Sequence, residues 1–250
     1  MSTPALAAQL IVFSSQVDLE AQMDQVLAGV HAAGFEAIEC GSNQFAEAPE
    51  AFVKLLEKHQ LRVAGLHGGL NLEPDVVMRL LDHYQANELC ISGIGGWEGT
   101  SSEQFRADTQ QVNEIGRILA RHGYHVHYHN HAYEFARLDN GQTGMEVIIQ
   151  ELDPAVADLC VDVAWVHIGG LDPVEFLRSN RERISYVHLK DYIDNRRWVE
   201  LGSGVVPLAK VVATMPELDV RWMVYEQDSS DKDAVDSCAI SHAYLRGLGV

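Results

Sequence analysis

Positive charge is scarce in this sequence: 18 Lys+Arg stand against 36 Asp+Glu, a formal net charge of −18. A surface of that sign repels phosphate backbones and anionic headgroups, so nucleic acid and membrane surfaces are not expected partners. Cysteine is sparse too. Cys40, Cys90, Cys160 and Cys238 lie far apart, with no C-x-x-C pair and no spacing suited to a disulfide framework or a zinc knuckle. Three of them sit in apolar runs (AIEC, ELCIS, DLCVD), which points to buried free thiols. No apolar run reaches the roughly 18 residues of a membrane helix. The opening MSTPALAAQLIVF carries no basic segment before its apolar stretch, and the expectation is a cytoplasmic, reduced protein. No tract rich in Pro, Gly or Ser interrupts the chain, and no low-complexity segment does, so one domain over residues 1–250 is expected.

What is present is a regular alternation. Apolar residues make up 47% and charged residues 22%, the composition of an ordinary folded protein. Strand-like runs occupy 6–13, 35–40, 62–67, 88–93, 125–131, 157–163, 184–189 and 221–226. Between them lie helical stripes such as LEAQMDQVLAGVHAAG, where Leu19, Met23, Val26, Leu27 and Val30 share a face and Gly34 ends the helix. Strict strand–helix alternation implies parallel strands joined by right-handed crossovers. Eight units in about 250 residues favour closure into an α/β (β/α)8 TIM barrel over an open doubly wound sheet. Two longer loops are expected, 93–102 and 192–207, each following a strand.

A barrel of this kind keeps its active site at the C-terminal ends of its strands. Those ends read Glu39, His67, His129 with His131, Asp162, His188 with Lys190, and Glu226. In HVHYHNH the four histidines His125, His127, His129 and His131 alternate, so all would leave one face of a strand. Only the last two would reach the site. His125 and His127 would lie deeper, as buried neutral imidazoles. Asp162 follows LCV and Glu226 follows WMVY, and a carboxylate in an apolar strand is costly unless cations or several donors meet it. A divalent metal resolves this, with His129, Asp162, His188 and Glu226 supplying two nitrogens and two oxygens. Such a mixed set suits Mn²⁺, Co²⁺, Fe²⁺ or Zn²⁺ better than Ca²⁺; Mn²⁺ is placed first.

The motifs GFEAIEC, VAGLH, YHNHAYEF, VDVAW with GGLDPVEFL, RISYVHLKDY and VYEQD, in this order, resemble the xylose isomerase-like TIM-barrel superfamily of metal-dependent sugar isomerases and epimerases. The resemblance covers nearly the whole chain. It implies a metal held by Glu, Asp, His and Glu on strands five to eight, with the two glutamates exchanging protons with substrate. Asp162, His188 and Glu226 match the last three, and His129 stands where the first Glu is expected. Trp165 replaces a His common three residues after the strand-six Asp, and would form an apolar wall for a sugar ring. The superfamily's endonuclease branch needs an Asp-x-His pair after strand seven, which is absent around Arg196–Trp198.

The chemistry implied is shared among isomerases, epimerases and dehydratases: a metal polarises a carbonyl while a base removes the neighbouring proton, giving an enediolate. Glu226 is expected as the base, Lys190 or His67 as donors to substrate oxygens, and Glu39, Glu134, His67 or Lys190 as the opposing acid or base. Glu134 could instead fix His129 by a hydrogen bond. Glu39, His131, Trp165, Trp97 and Trp198 are expected around the substrate, with either of the last two also suited to a lid or a homodimer contact. No glycine-rich phosphate loop is found, so the expected substrate is an unphosphorylated keto-sugar or polyol; a lyase acting on a keto-sugar or keto-cyclitol is the alternative, and a non-catalytic sugar-binding barrel a further one.

Overall fold

Wherever the sequence alternates an apolar run with a helical stripe, the computed structural model, which describes residues 4–96 and 101–250, builds one strand and one helix. The barrel strands are Ala5–Gln9, Ala37–Gly41, Arg62–Gly68, Glu88–Ile91, His125–His129, Ala157–Asp162, Ile184–Leu189 and Trp222–Tyr225. Each pairs in parallel with its sequence neighbours, and the first pairs with both the second and the eighth, which closes the sheet. The fold is a (β/α)8 TIM barrel.

Helices cover the outside of the sheet, and their starts are legible as caps. Asp18, Ser101, Asp172 and Asp233 each accept a backbone N–H from the first turn of the helix that follows, and Thr143 forms a reciprocal capping box with Glu146. Helix Leu19–Ala32 ends just before Gly34, whose φ of +102° few other residues would adopt. Apolar helix faces pack on the outward sheet residues in one large core that includes Leu27, Phe52, Leu80, Phe105 and Ile148, all fully buried.

Inside the barrel the side chains are layered. A middle storey of Ala7, Ala37, Ala64, Cys90, Cys160 and Val224 is made of small residues, which leaves room for Tyr186. Towards the N-terminal end, Glu88 pairs with the Arg221 guanidinium at 2.9 and 3.0 Å and with His127 Nε2 at 2.7 Å. This polar floor satisfies charges that would otherwise be costly to bury. His127 is therefore the buried, hydrogen-bonded imidazole expected of it. His125 is not: as the strand's first residue it stands exposed at the bottom rim. All four cysteines are buried and free.

Several boundaries differ from the sequence expectation. The first strand stops at Gln9 because the chain turns into a short helix, Ile11–Ser14, held by the Gln9 side chain accepting from the Ile11 N–H. The fifth strand stops at His129. A short helix, Val163–Ile168, begins where Val163 is expected to end the sixth strand; the Asp162 side chain caps it and overrides the strand propensity of Val163. Loop 192–207 contains part of an antiparallel hairpin, Asp191–Ile193 with Arg197–Val199. No helix among the described residues is long and apolar enough to cross a membrane.

Candidate metal centre and active site

Parallel register brings the polar strand ends together. Asp162 lies opposite His188 on the adjacent strand, and the Glu226 N–H bonds to the Leu189 carbonyl just past the eighth strand. Donor atoms of His129, Asp162, His188 and Glu226 all fall within 4.8 Å of one another, and the four residues are buried. These are the four residues expected to hold a metal.

Asp162 has two distinct oxygens. Oδ1 accepts from the N–H groups of Ala164 and Trp165 at 2.8 and 2.9 Å, which starts the helix that carries Trp165. Oδ2 is buried without a hydrogen-bond partner among the described residues. An orphaned carboxylate oxygen is costly, and burial pushes Asp162 up to about 7 despite the nearby Lys190. Burial holds His129 well below the usual imidazole range, so it is a neutral lone-pair donor. A cation among the four groups would meet the orphaned oxygen and the neutral imidazole together, so the donor set fits a divalent ion.

His188 is held from both sides. Its Nδ1 meets Glu226 Oε2, and its Nε2 lies 3.0 Å from Glu39 Oε2. Burial works against the imidazolium, but Glu39 and Glu226 raise its pKa well above the ordinary value. Glu39 also faces His67 Nδ1 at 3.0 Å; burial opposes its ionisation, yet His188 and His67 bring it down to about 2. Glu39 thus sits beneath the centre as a fixed anion that orients two imidazoles. It is not a rim residue open to substrate.

Lys190 is fully buried, with Nζ 2.9 Å from Glu226 Oε1 and 2.6 Å from Asp228 Oδ1. Two indole rings cover it: Nζ lies 4.2 Å from the Trp198 ring centre and 5.1 Å from that of Trp165. The two tryptophans meet edge to face at 4.8 Å. Trp198 is therefore half-buried against the site. Trp97 lies outside the described residues. A cavity of about 420 Å³ opens onto His67, His129, His131, Trp165, Glu226 and Asp228.

Glu134 does not reach His129. It is buried on the far side of His131, accepting from the Tyr128 hydroxyl at 2.6 Å and the His131 N–H at 2.9 Å, and burial raises it to about 7. It shapes the turn that carries His131. His67 lines the cavity with both ring nitrogens engaged, by Glu39 and by Ser92 Oγ at 3.0 Å.

Asp228 and Glu226 are the carboxylates that the sequence offers Lys190 as ion-pair partners, and both pair with it. Two contributors were missed from sequence. Asn130 bridges the fifth and sixth strand ends by accepting from the Asp162 N–H at 3.1 Å and donating to its carbonyl at 3.3 Å. Asp191 accepts from the N–H groups of Tyr192, Gly202, Gly204 and Val206, organising the loop that carries Trp198. Gly204 allows this approach, since a Cβ there would lie 2.2 Å from Asp191 Oδ1.

The parallel eightfold barrel thus gathers a buried His/Asp/His/Glu constellation, a candidate donor set for a metal ion, at the C-terminal ends of its strands. The profile of the xylose isomerase-like TIM barrel family matches residues 27–246, and the chain belongs to that family. Inosose dehydratase of Bacillus velezensis is 24% identical, over 89% of this chain and 88% of its own. Among solved structures, a sugar phosphate isomerase/epimerase from Parabacteroides distasonis superposes with a TM-score of 0.83 at 18% identity, covering 98% of this chain and 94% of that one. The IOLI protein, solved with a bound zinc atom, gives 0.74 at 13% identity, over 98% and 97%.

Proposed function

We propose that this protein is a metal-dependent isomerase or epimerase that removes a proton beside the carbonyl of a keto-sugar or related polyol. The observation that carries the reading is the unpartnered Asp162 Oδ2 inside a ring of four mutually close donors, at the floor of a cavity walled by Trp165. His129, Asp162, His188 and Glu226 would hold one Mn²⁺, Co²⁺, Fe²⁺ or Zn²⁺, with Mn²⁺ placed first. When bound, that ion supplies Lewis-acid polarisation of the carbonyl.

The chain's own groups divide the remaining work. Burial disfavours the Glu226 anion, but Lys190 and His188 hold it well below the usual carboxylate range, so it is ionised and available as base. Lys190 keeps its proton, because Glu226, Asp162 and Asp228 outweigh its burial, and it can donate to an oxygen that gains charge. His131 is neutral, lowered to about 3 by burial, and stands beside Trp165 at a ring separation of 5.5 Å. The indole wall excludes water from the reacting face.

Loss of water is the second reading. His129 takes the place of the first of two glutamates, and neither Glu39 nor Glu134 is placed to replace it, which leaves Glu226 as the one glutamate among the residues lining the cavity. The similarity to an inosose dehydratase over most of the chain supports the same alternative. Proton NMR of the Mn²⁺-loaded protein with keto-sugars and 2-keto-myo-inositol in heavy water tests both. Deuterium uptake with a new ketose supports the isomerase or epimerase, and loss of a hydroxyl supports the dehydratase. A metal-loaded protein that catalyses no exchange on any of them refutes both.

A further inference from the structure

A second cavity lies at the opposite end of the barrel from the metal centre. Its volume is about 390 Å³, and the residues around it stand at the starts of strands rather than at their ends: Leu6 on the first, Phe35 and Glu36 just before the second, and Arg62 opening the third. The C-terminal helix, Ala234–Gly247, completes it with His242 and Arg246. None of these residues belongs to the proposed metal centre.

Both guanidinium groups here are without a carboxylate side-chain partner among the described residues. Arg62 has no side-chain hydrogen bond there, and its Cζ stands 4.8 Å from the centre of the Trp222 ring. A cation–π contact orients the guanidinium without neutralising it. Arg246 donates from Nη1 to the Val250 backbone oxygen at 2.7 Å, which leaves its other N–H groups unengaged among the described residues. Glu36 also lines the cavity, but it is exposed and pairs with neither arginine. Two cationic side chains against one carboxylate reverses the balance of the whole chain, where 18 Lys+Arg meet 36 Asp+Glu. An anion repelled by most of the surface is drawn to such a place.

The remaining wall is apolar or neutral. His242 packs edge to face on Phe35, with ring centres 4.9 Å apart. Gly34 makes room for it, since a Cβ there would fall 2.6 Å from His242 Cε1. Burial first, and Arg246 second, lower the His242 pKa, so the ring is a neutral imidazole whose N–H can donate. Phe35 and Leu6 supply surface for a hydrocarbon body, and the arginines supply planar forks that match an oxyanion.

We propose that this cavity binds a small organic oxyanion, a carboxylate or phosphate monoester carried on an apolar body, with Arg62 and Arg246 as its charge partners. The site is independent of the catalytic reading above, because it shares no residue with the metal centre or its cavity.

Calorimetric titration of the intact protein at low ionic strength, with benzoate, phenyl phosphate and the uncharged benzamide, tests the assignment. At least one of the two anions should bind saturably with a Kd below about 1 mM. Benzamide should bind at least ~10-fold more weakly, and Arg62→Gln and Arg246→Gln should each weaken the anion by ~10-fold or more. Glu36→Gln should act in the other direction, tightening the anion by about 2- to 5-fold. Preference for benzoate identifies a carboxylate ligand and preference for phenyl phosphate a phosphate ester; either supports the site. Chelator-treated protein should bind as tightly as untreated protein, which separates this cavity from an anion resting on the metal. The proposal is overturned if neither anion binds saturably, if benzamide binds equally well, if the arginine variants bind like the wild type, or if chelation abolishes binding.

Discussion

Lys190 Nζ lies 2.9 Å from Glu226 Oε1, and both residues are buried at the mouth of the barrel. The ammonium links the metal centre to Asp228 and lies beneath two indole rings, so one side chain couples charge balance to the shape of the cavity wall. Lys190→Met should leave two facing carboxylates uncompensated. It is expected to cost about 3–5 kcal/mol of stability, measured by urea unfolding. Activity should fall by ~10²-fold or more even where the variant is folded, since the donor to developing charge is lost.

Metal content checks the donor set. Plasma mass spectrometry on the purified protein should find roughly one Mn, Co, Fe or Zn per chain, removable by chelator. Asp162→Ala with Glu226→Ala should abolish it. Wild-type protein that carries no metal and takes up neither Mn²⁺ nor Co²⁺ would contradict the site. Added metal at about 100 times its Kd should raise stability by about 2.7 kcal/mol in the wild type and not in the double variant.

Glu134 should give the fold a pH dependence of its own. Burial raises this carboxyl from its ordinary value near 4.5 to about 7, so the folded chain holds a proton that the unfolded chain releases. Its contribution is therefore fully present below pH 4.5 and is lost as pH rises through 7. Glu134→Gln keeps an acceptor for Tyr128 and the His131 N–H but cannot titrate. Across that window its stability should fall less with rising pH than the wild type's, by about 2–3 kcal/mol. Parallel profiles of the two proteins would count against a buried titrating Glu134.

Asp191 should act on the site through Trp198. Its carboxylate collects four backbone N–H groups, and Asp191→Ala leaves them without that acceptor. A loss of about 3 kcal/mol is expected. A red shift of tryptophan emission, absent from the same variant carrying Trp198→Phe, would show that the loop has released that ring. Unchanged emission would mean that packing on Trp165 alone holds it.

The sequence by itself determined the alternation of eight strands with helices, because small and β-branched runs between capped amphipathic stripes have few other ways to bury their apolar faces. It also placed His129, Asp162, His188 and Glu226 at strand ends, since a two-residue period fixes which side chains share a face. What it could not supply was contact between strands. Glu39 and Lys190 are alike in sequence as charges at strand ends. The closed sheet brings Glu39 beneath two histidines and Lys190 between two carboxylates. Glu134 was a plausible partner for His129 by spacing, but the turn after the fifth strand directs it to Tyr128. The start of the helix at Val163–Ile168 was hidden for a related reason: Val163 favours a strand, and only the Asp162 cap reverses that preference. Periodicity is a local property and can be read along the chain. Ion-pair partners, orphaned oxygens and the covering of Lys190 by Trp198 depend on residues far apart in sequence, so only barrel closure decided them.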